Sequence, residues 1–173
     1  MDTFGGKTMK KINKLFALIC ALALLASLAS CKADKKHTYA EFNLTVPENF
    51  FEYETDLYDL SLTDGVASLG LNRISFVTAQ QTGLDITLTP TDFATYYMRG
   101  LDENAEIHRT GDVPYAVTVS GDLEARYFCL YAFYRTPQSY FTLVCMAPYN
   151  ERGNYEKAFI DYIDNVEISR ENS

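Results

Sequence analysis

Tryptophan is absent from this chain of 173 residues, and histidine occurs only as His37 and His108. Histidine is the side chain that most often acts as a general base or metal ligand near neutral pH. The signatures Gly-x-Ser-x-Gly, His-Glu-x-x-His, Gly-x-Gly-x-x-Gly and Gly-x-x-x-x-Gly-Lys-Ser/Thr are absent as well. We therefore predict no catalytic residue, no bound metal and no cofactor, with His108 as a surface or half-buried strand residue.

Basic residues are in the minority: the chain has 15 lysines and arginines against 23 aspartates and glutamates. They form no basic stripe, and nucleic-acid binding depends on cations that neutralise phosphates. We therefore exclude nucleic acid as a partner. The same negative charge should keep the body of the protein off an anionic membrane surface.

What the chain does have is an apolar run directly behind a basic segment. Four lysines within residues 7–14 precede the uncharged residues 15–29. This run is shorter than the roughly 20 apolar residues that a membrane-spanning helix needs, and the order of segments is typical of a secretory signal peptide. Met9 is a plausible start for a signal of ordinary length.

Leu28-Ala29-Ser30-Cys31 resembles the lipobox of bacterial lipoprotein precursors. The resemblance implies cleavage before Cys31 and a diacylglyceryl group on its thiol. Two acyl chains are enough for stable anchoring, whereas one would be marginal. The alternative is an ordinary secreted protein in which this cysteine occurs by chance. We expect residues 1–30 to be the signal peptide, 31–38 a lipidated tether and 39–173 a single domain on the extracytoplasmic face of the cell membrane.

The predicted tether is short and basic, and His37 falls within it. Residues 32–38 span at most about 25 Å when fully extended, so the domain should lie close to the bilayer. Lys32, Lys35 and Lys36 either contact lipid head groups, at about 1 kcal/mol each, or only keep the tether soluble. The expected partners are the membrane, through the anchor, and an envelope protein at its face.

Most of the domain shows the period-2 alternation of strands. Asp64-Gly65 predicts a hairpin turn, and Thr89-Pro90-Thr91-Asp92 predicts the start of a helix that Gly100 ends. The pattern predicts strands over 42–46, 58–62, 67–76, 106–110, 115–119, 126–134 and 140–147, a loop around residue 83 that runs to 89, and helices over 90–99 and 155–164, the last capped by Asn154. This order is that of an α+β domain with an antiparallel β-sheet flanked by helices.

Two of these strands, 126–134 and 140–147, are apolar on both faces and flank Thr136-Pro137-Gln138-Ser139. Such strands belong in the middle of a sheet that is covered on two sides. A four-residue loop would pair Cys129 with Met146 and send the thiols of Cys129 and Cys145 to opposite faces. A five-residue loop would place the two cysteines within reach of a disulfide. Proline at the second turn position favours the first register, which predicts two buried free thiols.

Together these features resemble the PsbP-like fold, shared by extrinsic photosystem II subunits, a Ran-binding import factor and many bacterial envelope lipoproteins. The resemblance lies in the Phe42-x-Leu44-x-Val46-Pro47 strand, the helix after the third strand, the tyrosine-rich hairpin and the closing helix with Val166-Glu167-Ile168. It spans residues 39–169 and implies an α/β/α sandwich. Members bind ions, a GTPase or photosynthetic subunits, but none of those binding residues maps onto a motif here, and a fold does not give the function.

Two groups of side chains are dense enough to be candidate sites. The acidic residues suggest calcium but lack the Asp-x-Asp-x-Asp-Gly loop, so a solvated face is the better interpretation. The tyrosines suggest an aromatic platform for a glycan or peptide, although such residues more often fill a core with the hydroxyl reaching water. The acidic residues are Glu48, Glu52, Glu54, Asp56 and Asp59, with Asp102, Glu103 and Glu106 as a smaller group; the tyrosines are Tyr96, Tyr97, Tyr127, Tyr131, Tyr134 and Tyr140.

The function predicted from the sequence is that of a membrane-anchored lipoprotein, a non-catalytic binding or accessory module at the cell envelope. The alternative is a small-ligand or ion carrier with a pocket between sheet and helix near residues 80–88. A hydrolase of cell-wall polymer comes third, supported only by carboxylates whose approach would be spatial. The sequence identifies no ligand-binding residue.

Overall fold

A computed structural model of the protein describes residues 33–122 and 125–169. The predicted signal peptide and the predicted lipid-attachment residue Cys31 lie outside the described residues. The strands are β1 (Asp34–Tyr39), β2 (Phe42–Pro47), β3 (Phe51–Glu52), β4 (Leu60–Thr63), β5 (Ser68–Ser75), β6 (Ile107–Thr110), β7 (Val113–Ser120), β8 (Tyr127–Arg135), β9 (Ser139–Pro148) and β10 (Glu167–Ile168). The helices are α1 (Phe76–Gln81), α2 (Pro90–Arg99) and α3 (Arg152–Asp164), with a 3₁₀ turn at Tyr149–Glu151 before α3.

The strands form two antiparallel sheets. The larger has seven strands in the order β3-β4-β5-β9-β8-β7-β6, and the smaller has three in the order β1-β2-β10. Every neighbouring pair is antiparallel. The predicted α+β class with an antiparallel sheet is therefore confirmed.

The β8–β9 hairpin lies at the centre of the seven-stranded sheet and has the register that the turn sequence favours. Arg135 pairs with Tyr140, so the loop has four residues, and Cys129 pairs with Met146. The thiols of Cys129 and Cys145 consequently point to opposite faces, and both cysteines are buried and free. The prediction of two unlinked thiols is confirmed.

The seven-stranded sheet carries an apolar cluster on each face, because side chains along a strand alternate between the faces. Phe128, Leu130 and Ala132 belong to the cluster that Phe42, Leu44 and Val46 of β2 and Phe159 and Ile163 of α3 complete. Phe133 and Tyr140 belong to the opposite cluster, with Phe93 and Met98 of α2 and Ala79 of α1. Helices therefore cover both faces of the large sheet, and the small sheet shares one face with α3.

β1 corrects the predicted domain boundary. Residues 34–38 were expected in the tether, but Asp34–Tyr39 pairs along its whole length with Phe42–Pro47. His37 lies opposite Leu44 and is buried, with 3% of its surface exposed. The strand was missed because Asp34, Lys35 and Lys36 are exposed and give the segment a polar composition; its pairing with an apolar neighbour decides its structure.

Two further details differ from the sequence prediction. Phe76–Gln81 forms α1, where a strand end and a loop were expected, and the Ser75 side chain caps it by accepting the Thr78 N–H. The closing helix begins at Arg152, and Asn154 is not its cap. Its side-chain amide donates instead to Glu151 at 2.7 Å. Among the described residues, no helix is long and apolar enough to cross a membrane.

Candidate functional site

A cleft of about 560 Å³ opens in the loop between β3 and β4. The loop leaves the sheet where the Tyr53 N–H donates to the Ser61 carbonyl at 3.1 Å. A turn at Thr55, whose hydroxyl accepts the Leu57 N–H at 3.2 Å, shapes its far end. The cleft is lined by Glu52, Tyr53, Glu54, Thr55, Asp56, Tyr58, Asp59, Leu60 and Ser61. Four of the five residues in the larger predicted acidic group therefore surround one cleft.

Glu52 connects the cleft to the interior of the protein through His37. The Nδ1 atom of His37 lies 2.9 Å from Oε1 of Glu52, while its Nε2 atom is buried without a hydrogen-bond partner. Because β1 and β3 belong to different sheets, this contact joins the two sheets at one edge. His37 is thus a structural residue at the rim of the cleft and not a tether residue.

Ser61 is the second residue here with a buried polar atom that has no partner. The residue is 4% exposed, and its Oγ makes no hydrogen bond. Leu62, its neighbour, faces the core that α3 covers, so the Ser61 side chain points to the opposite face. Tyr53 lies directly across from it, and Tyr58 packs on its sheet neighbour Gly70. The hydroxyl therefore points towards the side of the sheet that these two tyrosines cover.

Gly70 allows Tyr58 to occupy this position. A Cβ atom on Gly70 would lie 2.6 Å from three ring atoms of Tyr58, closer than any real contact between carbons. Burial raises the pKa of the Tyr58 hydroxyl, and the neighbouring Tyr97, Cys129 and Tyr53 add to the effect. The ring thus forms one wall of the cleft.

The four carboxylates of the cleft have different environments. Glu52 contacts His37, and Asp59 accepts the Arg73 backbone N–H at 2.7 Å. No described residue forms a hydrogen bond or ion pair with the side chains of Glu54 or Asp56, which are both exposed. Two carboxylates therefore hold the loop in place, and two remain available to a ligand.

The predicted tyrosine platform is divided by the structure. Tyr134 and Tyr140 are core residues, whose hydroxyls donate to the carbonyls of Ile163 and Asp85 respectively. Tyr96 is 60% exposed. Tyr97 and Tyr131 lie close together on the sheet face that α2 partly covers, with ring centroids 6.4 Å apart.

Tyr131 is half-buried and has Cys129, Tyr58 and Tyr97 near it. Burial raises its pKa to about 12, with further contributions from Cys129, Tyr58 and Tyr97. A smaller cavity of about 290 Å³ adjoins Tyr131. It is lined by Leu101, Asp102, Thr118, Val119, Ser120 and Tyr131.

The remaining candidates stay apart from the cleft. His108 is exposed, and its ring lies 5.5 Å from that of Tyr115. Glu103 and Glu106 are exposed. Across residues 33–122 and 125–169, no three His, Cys, Asp or Glu side chains are grouped so that they could hold a metal ion.

The loop at residues 80–88 packs onto the sheet. Leu84 is buried there with Ile86 and Leu88, and the Tyr140 hydroxyl donates to the carbonyls of Asp85 and Leu88. Both cavities described above are lined by other residues. Leu84, Ile86 and Leu88 thus occupy part of the space between sheet and helix at this loop, and neither cavity described above lies there.

Comparison with known proteins identifies the fold. No protein-family model matches the sequence, and no curated protein matches it either. Solved structures do. The cyanobacterial PsbP protein CyanoP from Synechocystis has a TM-score of 0.53 at 9% identity, over 80% of this chain and 94% of that one. The fold is PsbP-like.

Other solved structures agree. The Ran-binding protein Mog1p of Saccharomyces cerevisiae has a TM-score of 0.52 at 9% identity, covering 79% of this chain and 96% of its own. LpqN of Mycobacterium tuberculosis, described as involved in cell envelope biogenesis, has a TM-score of 0.51 at 9% identity, covering 80% and 91%. A protein from Bacteroides thetaiotaomicron has a TM-score of 0.57 at 14% identity, and this chain spans only 50% of its length. These structures confirm the predicted resemblance in fold.

Proposed function

We propose that the protein is a lipid-anchored binding or accessory module of the cell envelope, without catalytic activity of its own. The observation that carries this proposal is the Leu28-Ala29-Ser30-Cys31 sequence behind a basic and apolar leader. The PsbP-like fold supports it, since LpqN, described by its part in cell envelope biogenesis, has the same architecture. The membrane, through Cys31, and an envelope protein are the proposed partners.

The position of β1 limits how far the folded domain could lie from an anchor at Cys31. Only Lys32 and Ala33 separate Cys31 from the first residue of β1, a distance of about 11 Å along a fully extended chain. An anchor at Cys31 would therefore hold this edge of the folded domain at the head groups. Lys36 is paired with Glu167 at 2.6 Å, which leaves Lys32 and Lys35 as the nearest candidates for lipid contact.

Metabolic labelling with an alkyne-tagged fatty acid in bacterial cells tests the anchor. We expect label on the wild-type protein and its recovery with the membrane fraction, and we expect Cys31→Ser to abolish the label and release the protein into the medium. Cys20→Ser is the matched control, because Cys20 lies in the segment that cleavage would remove. An unlabelled wild-type protein, or a Cys31→Ser variant that stays on the membrane, would contradict the proposal.

The partner is tested by crosslinking in intact cells, followed by purification from detergent-solubilised membranes. An accessory module should be recovered with an envelope protein, and the yield should fall when Cys31→Ser removes it from the membrane face. Recovery of the protein alone under every crosslinking condition would argue against an accessory role.

A carrier of a small ligand is the second candidate, and the cleft between β3 and β4 favours it. Its volume of about 560 Å³ lies in the range of small-molecule sites. Two of its carboxylates, on Glu52 and Asp59, contact the protein itself, which suits a binding site better than a pair of carboxylates poised for hydrolysis.

A further inference from the structure

We propose that the cleft between β3 and β4 binds a small organic cation that carries at least two amino groups, such as a diamine or polyamine. The proposal goes beyond the envelope function and does not depend on the anchor. The fatty-acid labelling described above and the binding experiment described below can therefore fail separately.

The lining of the cleft is negatively charged. Glu52, Glu54, Asp56 and Asp59 line it, and no lysine or arginine does. Within the described part of the chain, Glu54 and Asp56 have no ion-pair partner. A surface with this charge attracts cations and repels anions. Acidic residues alone are also explained by hydration, so the class of ligand rests on two further observations.

The buried hydroxyl of Ser61 is the first of these. Buried polar groups nearly always have a hydrogen-bond partner, yet Ser61 Oγ has none, although the residue is only 4% exposed. It belongs to the cleft lining and lies on the sheet face that Tyr53 and Tyr58 occupy. Because the oxygen itself is covered, an amino group would reach it by moving the two rings apart, and it would then donate a hydrogen bond to the oxygen, since an ammonium is a donor only.

The shape and the aromatic walls argue for an organic cation and against a metal ion. A metal needs several oxygen ligands converging within about 2.6 Å of one point, and no three acidic or histidine side chains in the described residues are grouped in that way. The cleft is instead about 560 Å³ in volume and has two tyrosine side chains in its lining. Aromatic faces attract ammonium groups. Carboxylates spread around such a volume match charges that are separated along a chain of methylene groups.

Calorimetric titration of the full-length protein in a neutral detergent tests the proposal. The probes are putrescine and spermidine, and 1,4-butanediol is the neutral analogue of putrescine. We expect saturable 1:1 binding of the amines, tighter for spermidine, and no binding of the diol. Potassium chloride at matched ionic strength and calcium chloride at matched charge control for nonspecific screening.

Two sets of variants locate the site. Glu54→Gln with Asp56→Asn removes both unpaired carboxylates and should weaken putrescine binding at least tenfold. Glu103→Gln with Glu106→Gln removes the same charge from exposed positions outside the cleft and should change the affinity less than twofold. Ser61→Ala separates binding from folding. It should weaken binding several-fold while leaving the melting temperature unchanged or higher, because it deletes a buried hydroxyl that has no partner.

Several results would overturn the proposal. These are the absence of saturable binding, equal effects of the two charge-neutralising pairs, and complete competition by calcium chloride at matched charge. A lysine-rich peptide that binds at the cleft where both free amines fail would also overturn it, because the recognised group would then be a side chain of a partner protein. A Ser61→Ala variant that keeps full affinity would show that the Ser61 hydroxyl does not contact the amine, and it would also overturn the proposal.

Discussion

Ser61 and Gly70 are register partners on β4 and β5, and the space above Gly70 is taken by the Tyr58 ring. Without a side chain at residue 70, the ring reaches the backbone of the sheet. The glycine is therefore required by a close approach, a common reason for glycine within a strand. Its effect extends to the cleft, because Tyr58 is part of the lining.

Gly70→Ala should lower the free energy of unfolding by about 1–3 kcal/mol, the usual cost of overpacking. The added Cβ would lie 2.6 Å from ring atoms of Tyr58 and displace the ring. Urea unfolding monitored by circular dichroism measures the change. In a Tyr58→Ala background the same substitution should cost less, because the clash is gone.

Gly153→Ala is the matched control for this prediction. It lies in α3, where an added Cβ meets nothing within 4 Å, so the substitution should stabilise the protein by up to about 1 kcal/mol. If Gly70→Ala proves as harmless as Gly153→Ala, the Tyr58 ring does not occupy the described position.

His37 is a buried residue whose second ring nitrogen has no partner, and such an atom costs about 1–3 kcal/mol. His37→Leu removes this cost and loses one contact to Glu52, whose side chain is 63% exposed and can be hydrated. We expect the free energy of unfolding to stay within about 1 kcal/mol of wild type or to rise. His37→Ala should lower it by about 2 kcal/mol, because it leaves a cavity.

Thermal and urea unfolding of the two variants at neutral pH distinguish these outcomes. A large loss of stability in His37→Leu would show that the contact with Glu52 contributes more than the apolar packing that replaces it.

At the scale of elements, α2 has the best-defined beginning of the three helices that the structure describes. Thr89 caps it by accepting the Asp92 N–H at 3.2 Å, and the Asp92 side chain accepts the Thr89 N–H in return at 3.4 Å. Pro90 takes the first helical position. The helix also provides Phe93, whose ring stacks on Tyr140 with centroids 4.3 Å apart. The cap therefore sets where α2 begins, and this places the Phe93 ring against Tyr140 in the core.

Thr89→Ala should lower the free energy of unfolding by about 1 kcal/mol, the typical contribution of a side-chain cap. Thr89→Ser keeps a hydroxyl at the same position and should lose only a few tenths. Chemical denaturation of both variants measures the difference. Equal stability of the alanine and serine variants would show that the cap contributes nothing here.

α1 shows why some elements escape sequence analysis. It has only six residues, Phe76–Gln81, and follows β5 without a break. Short apolar segments are ambiguous between helix and strand, and Val77 and Thr78 are β-branched and favour strands. The helix exists because Ser75 caps it and because Ala79 and Phe76 pack in the cluster with Tyr140.

At the scale of the whole molecule, buried tyrosine hydroxyls link stability to alkaline pH. Burial raises the pKa of Tyr131, Tyr155 and Tyr162 to about 12, helped at Tyr155 by its hydrogen bond to Asp64, and burial also raises the pKa of Tyr134 well above its usual value. In the unfolded chain tyrosine titrates near 10. The folded state therefore favours the protonated form, and this contribution is fully present below about pH 10 and is lost as the pH rises through about 12.

The free energy of unfolding should consequently be insensitive to these groups between pH 7 and 9 and should fall steeply between about pH 10 and 12. Urea titrations at several pH values measure it, and absorbance near 295 nm follows tyrosinate formation in parallel. Tyr134→Phe removes one hydroxyl with a raised pKa, so the free energy of unfolding of this variant should fall less steeply with pH. Ionisation of every tyrosine near pH 10 with the fold intact would contradict the prediction.

Elements whose signals are local could be predicted from the residues alone. Alternation identified β2, continuous apolar runs identified β8 and β9, and the Thr89–Asp92 pattern identified α2. The proline-led turn favoured the β8–β9 register that leaves the thiols free. These features depend on side-chain direction and backbone geometry within a few residues, which the chain carries wherever it is placed. The order of elements was then sufficient to indicate the PsbP-like fold.

The acidic segment could be identified from the sequence, but only the three-dimensional arrangement shows that it lines a cleft and what surrounds it. β1 is polar in composition and becomes a strand because β2 pairs with it, which brings His37 to Glu52 across two sheets. Ser61 and Gly70 have no distinguishing sequence context, and their importance comes from the ring of Tyr58 that packs over Gly70, the register partner of Ser61. Contacts between segments distant in sequence depend on how sheets stack and which faces they cover. No local pattern of residues encodes that arrangement.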